Sequence, residues 1–322
     1  MKRPLQIALG FATIVLVVAA GYGWTKYGQW KQPVGNDANW CVEIPPGSEA
    51  LSFLQATHPN IAAVIGWRGW SIYPGRYCEI GEVPAHRIAR RIATGQREEI
   101  TLPLPSKRNV SDIAGALAPR IWADSASIVQ ALDVDSMRWR ILPNTYRVYW
   151  ETDAAGLAQR LRKESEKWWN ADRLKKAWAL GLSPREVVTL ASIVQEETAQ
   201  VSEAPTVAGL YLNRLKKKML LQADPTLKYA LSDWSIQRLL GEDKKVDSPY
   251  NTYRNPGLPP GPIRIPETVY IEAVLNFEKH NYLYMCAKPD GSGTHAFART
   301  YNQHLQNARA YQSMLNRERI YR

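Results

Sequence analysis

The feature that most constrains this chain is the uncharged run from Pro4 to Thr25, which follows Met1-Lys2-Arg3 and ends only at Lys26. It has to be set aside before any core is sought, because roughly 20 apolar residues are what one helix needs to cross a bilayer. Only Gln6 and Thr13 interrupt LQIALGFATIVLVVAAGYGW, and Tyr22, Trp24 and Tyr27 stand where interfacial aromatics belong. Lys2 and Arg3 favour a cytoplasmic N-terminus. The alternative is a cleaved signal peptide, since Val18-Ala19-Ala20-Gly21 offers small residues to a peptidase. Both readings export the rest of the chain. No other uncharged run is comparably long, so the expected topology is one anchor, residues 1–25, with a body attached through Leu5 to Gly23 on the periplasmic or outer side of the inner membrane.

Export also decides how the charge is read. A formal +11 could serve nucleic acid, but an exported chain rarely meets it, and the basic residues are scattered rather than banked. An anionic envelope is the better partner and no nucleic acid is expected. Lys216-Lys217-Lys218, the tight basic run, reads as a solvated helix end.

The 322 residues exceed the roughly 100 to 200 of one domain, so two are expected, of mixed α+β class. Residues 26–105 read as a small module of strands and helices. Trp40 to Ile44 is a strand, Pro45-Pro46-Gly47 a turn, and Ser48 the N-cap of a helix through Ala56. Tyr77 to Ile80 is a second strand, Pro84 to Thr94 a helix closed by Gly95, and Glu99 to Leu104 a third strand. Such a module is of the size that usually binds. Trp67 and Trp70 are its candidates for stacking on sugar. Cys41 and Cys78 fall inside it and could pair, leaving Cys286 as a buried thiol in YLYMCA. Pro103 to Asn109 is the candidate linker to a larger α+β domain, residues 106–322. There Asp112–Ala118, Ser125–Leu132 and Ala154–Trp169 read as helices, and LPNTYRVYW as a turn and strand.

The chemistry begins at Leu182-Ser183-Pro184-Arg185-Glu186. Ser183 is an N-cap, Pro184 the first helical residue and Glu186 the far side of a capping box. With the register so fixed, Val187, Leu190, Ala191 and Val194 form one apolar stripe and Glu197 lies on its edge. A carboxyl there loses solvation for its charged form, so its pKa rises and it becomes a proton donor near neutral pH. Glu196 is expected to point away into solvent.

ASIVQEET, AGLYLNRL, MLLQADPTLKYAL, SPYNTY, GLPPGPI and YLYMCAKPDGSGTHAF with His304 follow one another from about Thr189 to His304. In order and spacing they resemble the MltG (YceG-like) family of endolytic murein transglycosylases. The resemblance implies a single-pass inner-membrane protein, a LysM-like module before the catalytic domain, and cleavage between N-acetylmuramic acid and N-acetylglucosamine by one glutamate, here Glu197. It also implies an association with cell-wall elongation synthases. Many relatives carry an acid two positions before that glutamate, where this chain has Gln195. Helical phase sets Gln195 far from the edge held by Glu197.

The other blocks supply candidate substrate contacts. Gln222 is free to meet sugar amides, and Asp224 is a cap for the helix that Pro225 opens. Thr226 of the same block is counted with them. Tyr250, Asn251, Thr252 and Tyr253 read as an exposed polar loop for hydrogen bonding and stacking. Gly257 to Pro262 is a stiff loop wall. His295 follows a glycine-rich turn, and no ligand spacing around it suggests a metal. No cofactor is expected. The expected reaction is non-hydrolytic: protonated Glu197 donates to the glycosidic oxygen, then its carboxylate removes the proton from the muramic acid C6 hydroxyl, giving a 1,6-anhydro end. The alternatives are a hydrolase pairing Glu197 with Asp224, and a non-catalytic peptidoglycan-binding scaffold.

Overall fold

The computed structural model describes residues 3–47, 49–236 and 239–317, with the side chains of residues 1–9 and of position 315 outside the description. The chain divides into two compact units, one of Met1–Leu102, Arg120–Ala123 and Tyr146–Asp153, the other of Pro103–Pro119, Asp124–Thr145 and Ala154–Arg322.

The first unit begins with α1 (Arg3–Lys31), which carries the expected anchor as helix. Phe11 and Ile14 through Val18 are exposed along it. Among the described residues no helix is long and apolar enough to cross a membrane. The expected span starts at Leu5, among side chains that lie outside the described ones. There follow β1 (Pro33–Val34), β2 (Asn39–Ile44), α2 (Ala50–Thr57), α3 (Pro59–Arg68), β3 (Gly75–Ile80), β4 (Val83–Pro84), α4 (Ala85–Ala93) and β5 (Glu99–Leu104). The N-cap expected at Ser48 lies outside the described residues.

Helix α3 has no counterpart among the expected elements, although Pro59 opens it and Gly69, at φ 62°, closes it in the left-handed form that favours glycine. Pro84 lies in β4 rather than in the helix, and α4 starts one residue later. β1 pairs with β4, and β2 pairs antiparallel with β3. Val42, Ile44, Leu54, Ile61, Ile65, Tyr77, Ile88 and Ile92 form this unit's buried core. Trp67, 40% exposed, and Trp70, half-buried, are not isolated rings. Both pack on Trp30 at the end of α1, at 6.0 and 6.1 Å between ring centroids, and the Arg68 guanidinium lies 4.6 Å from the Trp30 ring, a cation–π arrangement that ties α1 to α3.

The second unit holds α5 (Val110–Leu117), α6 (Ser125–Leu132), α7 (Asp135–Arg138), β6 (Asn144–Tyr149, whose end lies in the first unit), α8 (Ala154–Trp168), α9 (Ala171–Ala179), α10 (Pro184–Glu197), α11 (Ala204–Lys216), α12 (Asp224–Ala230), α13 (Thr268–Leu275), the antiparallel pair β7 (Tyr284–Ala287) and β8 (His295–Ala298), and α14 (Tyr301–Arg317). The capping box is formed: Ser183 Oγ accepts from Glu186 N, and a Glu186 carboxylate oxygen accepts from Ser183 N at 2.8 Å. Helix α10 is buried on every side from Val187 to Val194, so the expected stripe is a full cylinder and the helix is the centre of the core. Its polar residues are satisfied internally. Thr189 Oγ1 donates to Arg185 O, while Ser192 Oγ donates to Thr189 O and accepts from Ile263 N.

The expected linker is a packed segment of this unit. Lys107 O accepts from Ile265 N, Ser106 Oγ donates to Ile265 O, and Arg108 reaches Glu196.

Cys41 stands directly opposite Cys78 in the β2–β3 register, and the two are joined by a disulfide. Cys286 is the free thiol among the described residues, half-buried on β7. Thiol labelling of the unfolded, unreduced chain is therefore expected to modify Cys286 alone, and all three cysteines after reduction. Three reactive thiols before reduction would show the bond absent.

Candidate active site

Because α10 is central, its last turn is delivered to a wall of a cavity of about 490 Å³. Glu197 lines this cavity with Tyr211, Arg214, Gln222, Asp224, Tyr253, Tyr284, His295 and His304. Burial pushes the Glu197 carboxyl up to about 8, against a lowering hydrogen bond from Tyr211, with the Asp224 charge adding to the rise. The helix C-terminus, where the macrodipole is negative, acts in the same direction. The Tyr211 hydroxyl donates to Glu197 Oε1 at 2.5 Å from α11, fixing one carboxyl oxygen. Burial and the neighbouring carboxylate hold that phenol well above its usual range, so it stays a donor.

Glu196 contradicts its expected place in solvent. Its side chain is 6% exposed and is gripped by Arg108, through Nε at 2.9 Å and Nη2 at 3.0 Å, and by Arg264 Nη1 at 2.8 Å. This three-residue clasp joins the segment before α5 and the segment before α13 to the end of α10, next to Glu197. Gln195 also ties the helix down, its side-chain oxygen accepting from Glu267 N at 2.8 Å.

The sequence blocks separate into residues that face the cavity and residues that build it. Gln222 faces it with φ 52°, a left-handed conformation costly for a non-glycine residue. Two hydrogen bonds to Thr252 impose that conformation, from Gln222 N to the carbonyl at 3.1 Å and from Ala223 N to the hydroxyl at 3.0 Å. Gln222 Oε1 accepts from Arg214 Nη2 at 2.7 Å. Thr226 and Thr252 are buried and share a 2.8 Å hydroxyl hydrogen bond, while Asn251, also buried, donates to the carbonyls of Lys244 and Val246. These three, expected to touch substrate, shape the loop from inside. Tyr250 is not on the cavity wall; its ring lies 4.6 Å from that of Tyr229. Tyr253 alone of the NTY block lines the cavity.

Asp224 is not the expected cap. It is the first residue of α12, whose N-cap is Ala223, and its carboxylate accepts from the Tyr253 hydroxyl at 2.5 Å. His295 is held through backbone N and Nδ1 by Glu203, both at 2.8 Å, and Glu203 also accepts from Thr198 Oγ1. Cys286 lines the cavity instead of being buried, and Gly257 to Pro260 wall a separate groove with Trp178 and Leu212. The expected set omitted Tyr211, Arg214 and Tyr284. Tyr211 and Arg214 lie three apart in AGLYLNRL, a spacing that puts both on one helix face, and this was the available signal.

Residues 48–310 match the YceG-like family, and the chain belongs to that family. Over 135 residues it is 40% identical to an endolytic murein transglycosylase of Bacillus subtilis, covering 42% of this chain and 37% of that protein. Over 110 residues it is 37% identical to an endolytic murein transglycosylase of Streptococcus pneumoniae, covering 33% of this chain and 20% of that protein. The matched segments thus span little more than a third of these relatives or less. A crystal structure of a YceG-like protein of Listeria monocytogenes superposes with a TM-score of 0.55 at 24% identity, over 84% of this chain and 99% of that one, which is a likeness of fold.

Two outcomes follow from this geometry. Glu196→Gln removes the charge between two arginines and is expected to destabilise the fold by about 3 kcal/mol, the low end for a broken buried pair because Arg108 is half exposed; chemical denaturation reads this as a lowered midpoint. Tyr211→Phe removes the interaction that lowers the Glu197 pKa, so that pKa rises further above about 8. Any activity that needs protonated Glu197 then keeps its alkaline limb to higher pH than in the parent, and a limb moved to lower pH would contradict the arrangement.

Proposed function

We propose that the chain is a lytic transglycosylase that cleaves the β-1,4 bond between N-acetylmuramic acid and N-acetylglucosamine within peptidoglycan glycan strands, with Glu197 as acid and then base. The observation that carries this reading is a carboxyl with a pKa of about 8 on the wall of an aromatic-lined cavity, in a chain whose relatives are named endolytic murein transglycosylases. A glycosidic oxygen leaves poorly until protonated, and a carboxyl that keeps its proton at neutral pH is suited to supply one. Tyr211 occupies Oε1, so Oε2 is the atom left to donate. As the glycosidic bond breaks and C1 becomes oxocarbenium-like, Glu197 is left as carboxylate. It then takes the proton of the muramic acid C6 hydroxyl, and O6 bonds to C1. No water is consumed, the proton returns to Glu197, and the new end is a 1,6-anhydro sugar.

Tyr253 and Tyr284 offer rings for stacking on saccharide, and Gln222 an amide. Asp224 lies on the same cavity, which favours hydrolysis as the second reading, with Asp224 activating water. The ends distinguish them, anhydro for the first and reducing for the second.

In this reading α1 is the inner-membrane anchor, supported by its exposed run from Phe11 to Val18, and the body lies on the periplasmic side. The first unit, without α1, acts as a LysM-like module that holds glycan, and the larger unit is catalytic. Cleavage would release or terminate nascent strands, with elongation synthases as protein partners.

Glu197→Gln is expected to lower glycan cleavage by roughly 10²- to 10⁴-fold or more, with folding and strand binding retained, because the amide can neither donate the proton nor recover it. Digestion of uncrosslinked strands, with ends identified by mass spectrometry and folding followed by thermal melting, measures this. A folded variant with near-parental turnover would remove Glu197 from the mechanism.

A further inference from the structure

Arg214 is a buried cation on the cavity whose charge the reaction does not use. It sits on α11 one turn after Tyr211 and is 8% exposed. Among the described residues no carboxylate pairs with it. Its side chain donates to the neutral Gln222 oxygen, and its Nε is buried without a partner. A desolvated cation without a counter-ion is costly, and folded proteins rarely keep one unless an anion completes it. Asp224, on the same cavity, spends its Oδ1 on Tyr253. Glu197 retains its proton near neutrality.

Around Arg214 the wall is prepared for an anion. Its guanidinium lies 5.6 Å from the Tyr284 ring, and Tyr284 stacks on His304 at 5.4 Å. His304 Nδ1 is also buried and unpartnered. Two nitrogen-bearing groups with unmet hydrogen-bonding capacity therefore flank one aromatic ring on the cavity that Glu197 lines.

We propose that Arg214, with Tyr284 and His304, forms a carboxylate-binding subsite that holds an acidic group of the muramyl substituent while Glu197 faces the glycosidic bond. The inference rests on the reading of the cavity as a site for muramic-acid glycan. The carboxylate has two sources. On strands stripped of peptide it is the lactyl carboxylate of muramic acid; on strands that keep their stems, where the lactyl group is amidated, it is a carboxylate of the stem peptide. Guanidinium suits either, since its planar N–H fork matches a carboxylate.

The test measures binding by calorimetry to the full chain carrying Glu197→Gln. The probes are peptide-stripped strands and stem-bearing strands, each with carboxylates free or converted to methylamides. The subsite predicts roughly 10- to 100-fold tighter binding of the free-acid form of one strand type, the scale of a charge-assisted hydrogen bond, and the preferred type identifies the source. Adding Arg214→Met should erase that preference, and Arg214→Lys should keep part of it. Equal binding of acid and amide forms, or a preference that survives Arg214→Met, overturns the proposal. If Arg214→Met does not fold, the acid-over-amide preference and its reduction in Arg214→Lys decide. A merely structural arginine would weaken both forms alike. Cleavage by the parent is scored separately, so absent cleavage with intact acid preference removes the proposed reaction and leaves the subsite standing.

Discussion

The desolvation of one carboxyl is the constraint around which the larger unit is arranged. Glu197 ends a helix whose eight preceding core positions, Val187 to Val194, are all buried, so its backbone cannot relax toward water without disturbing the centre of the fold. The side chain sits at the cavity, where burial disfavours the charged form by more than the hydrogen bond from Tyr211 favours it. The same elements supply the packing and the chemistry. A loosened core would lower the pKa as it lowered stability, because water reaching the carboxyl stabilises its charge.

Adjacent acids on α10 illustrate how environment sets role. Glu196 is buried too, yet Arg108 and Arg264 compensate its charge, and it serves as a structural anion. Glu197 has no cation at bonding distance among the described residues, and Asp224 adds to its discomfort. One residue of helical rotation, about 100°, separates the clasp from the cavity. The clasp also secures the helix end, which limits how far Glu197 can shift when the cavity fills.

What could be read in the sequence was local. The capping box at Ser183 and Glu186 and the closing glycine at 95 depend on neighbours in sequence, and they appear where the residues imply; Cys41 and Cys78, 37 residues apart, could be read only as able to pair within one small module. What escaped depends on distant chain. The partners of Glu196 lie 88 and 68 residues away in sequence, so nothing near it signals burial. Thr226, Asn251 and Thr252 look like exposed turn residues because their polar groups suit loops; Thr226 and Asn251 donate to the Ala223, Lys244 and Val246 carbonyls, and the Thr252 hydroxyl accepts from Ala223 N, which turns all three inward. Tyr211 and Arg214 sit in a helix that reads as ordinary core until α10 is placed beside it.

The central claim, that Glu197 holds its proton at neutral pH, is most directly tested by titrating that one group. The carboxyl carbon resonances of a glutamate-labelled chain, compared between the parent and Glu197→Gln, isolate its signal. The account predicts a carboxyl that remains protonated through neutrality and ionises at about 8. A signal already ionised in the ordinary carboxylate range of roughly 4 to 5 would contradict it.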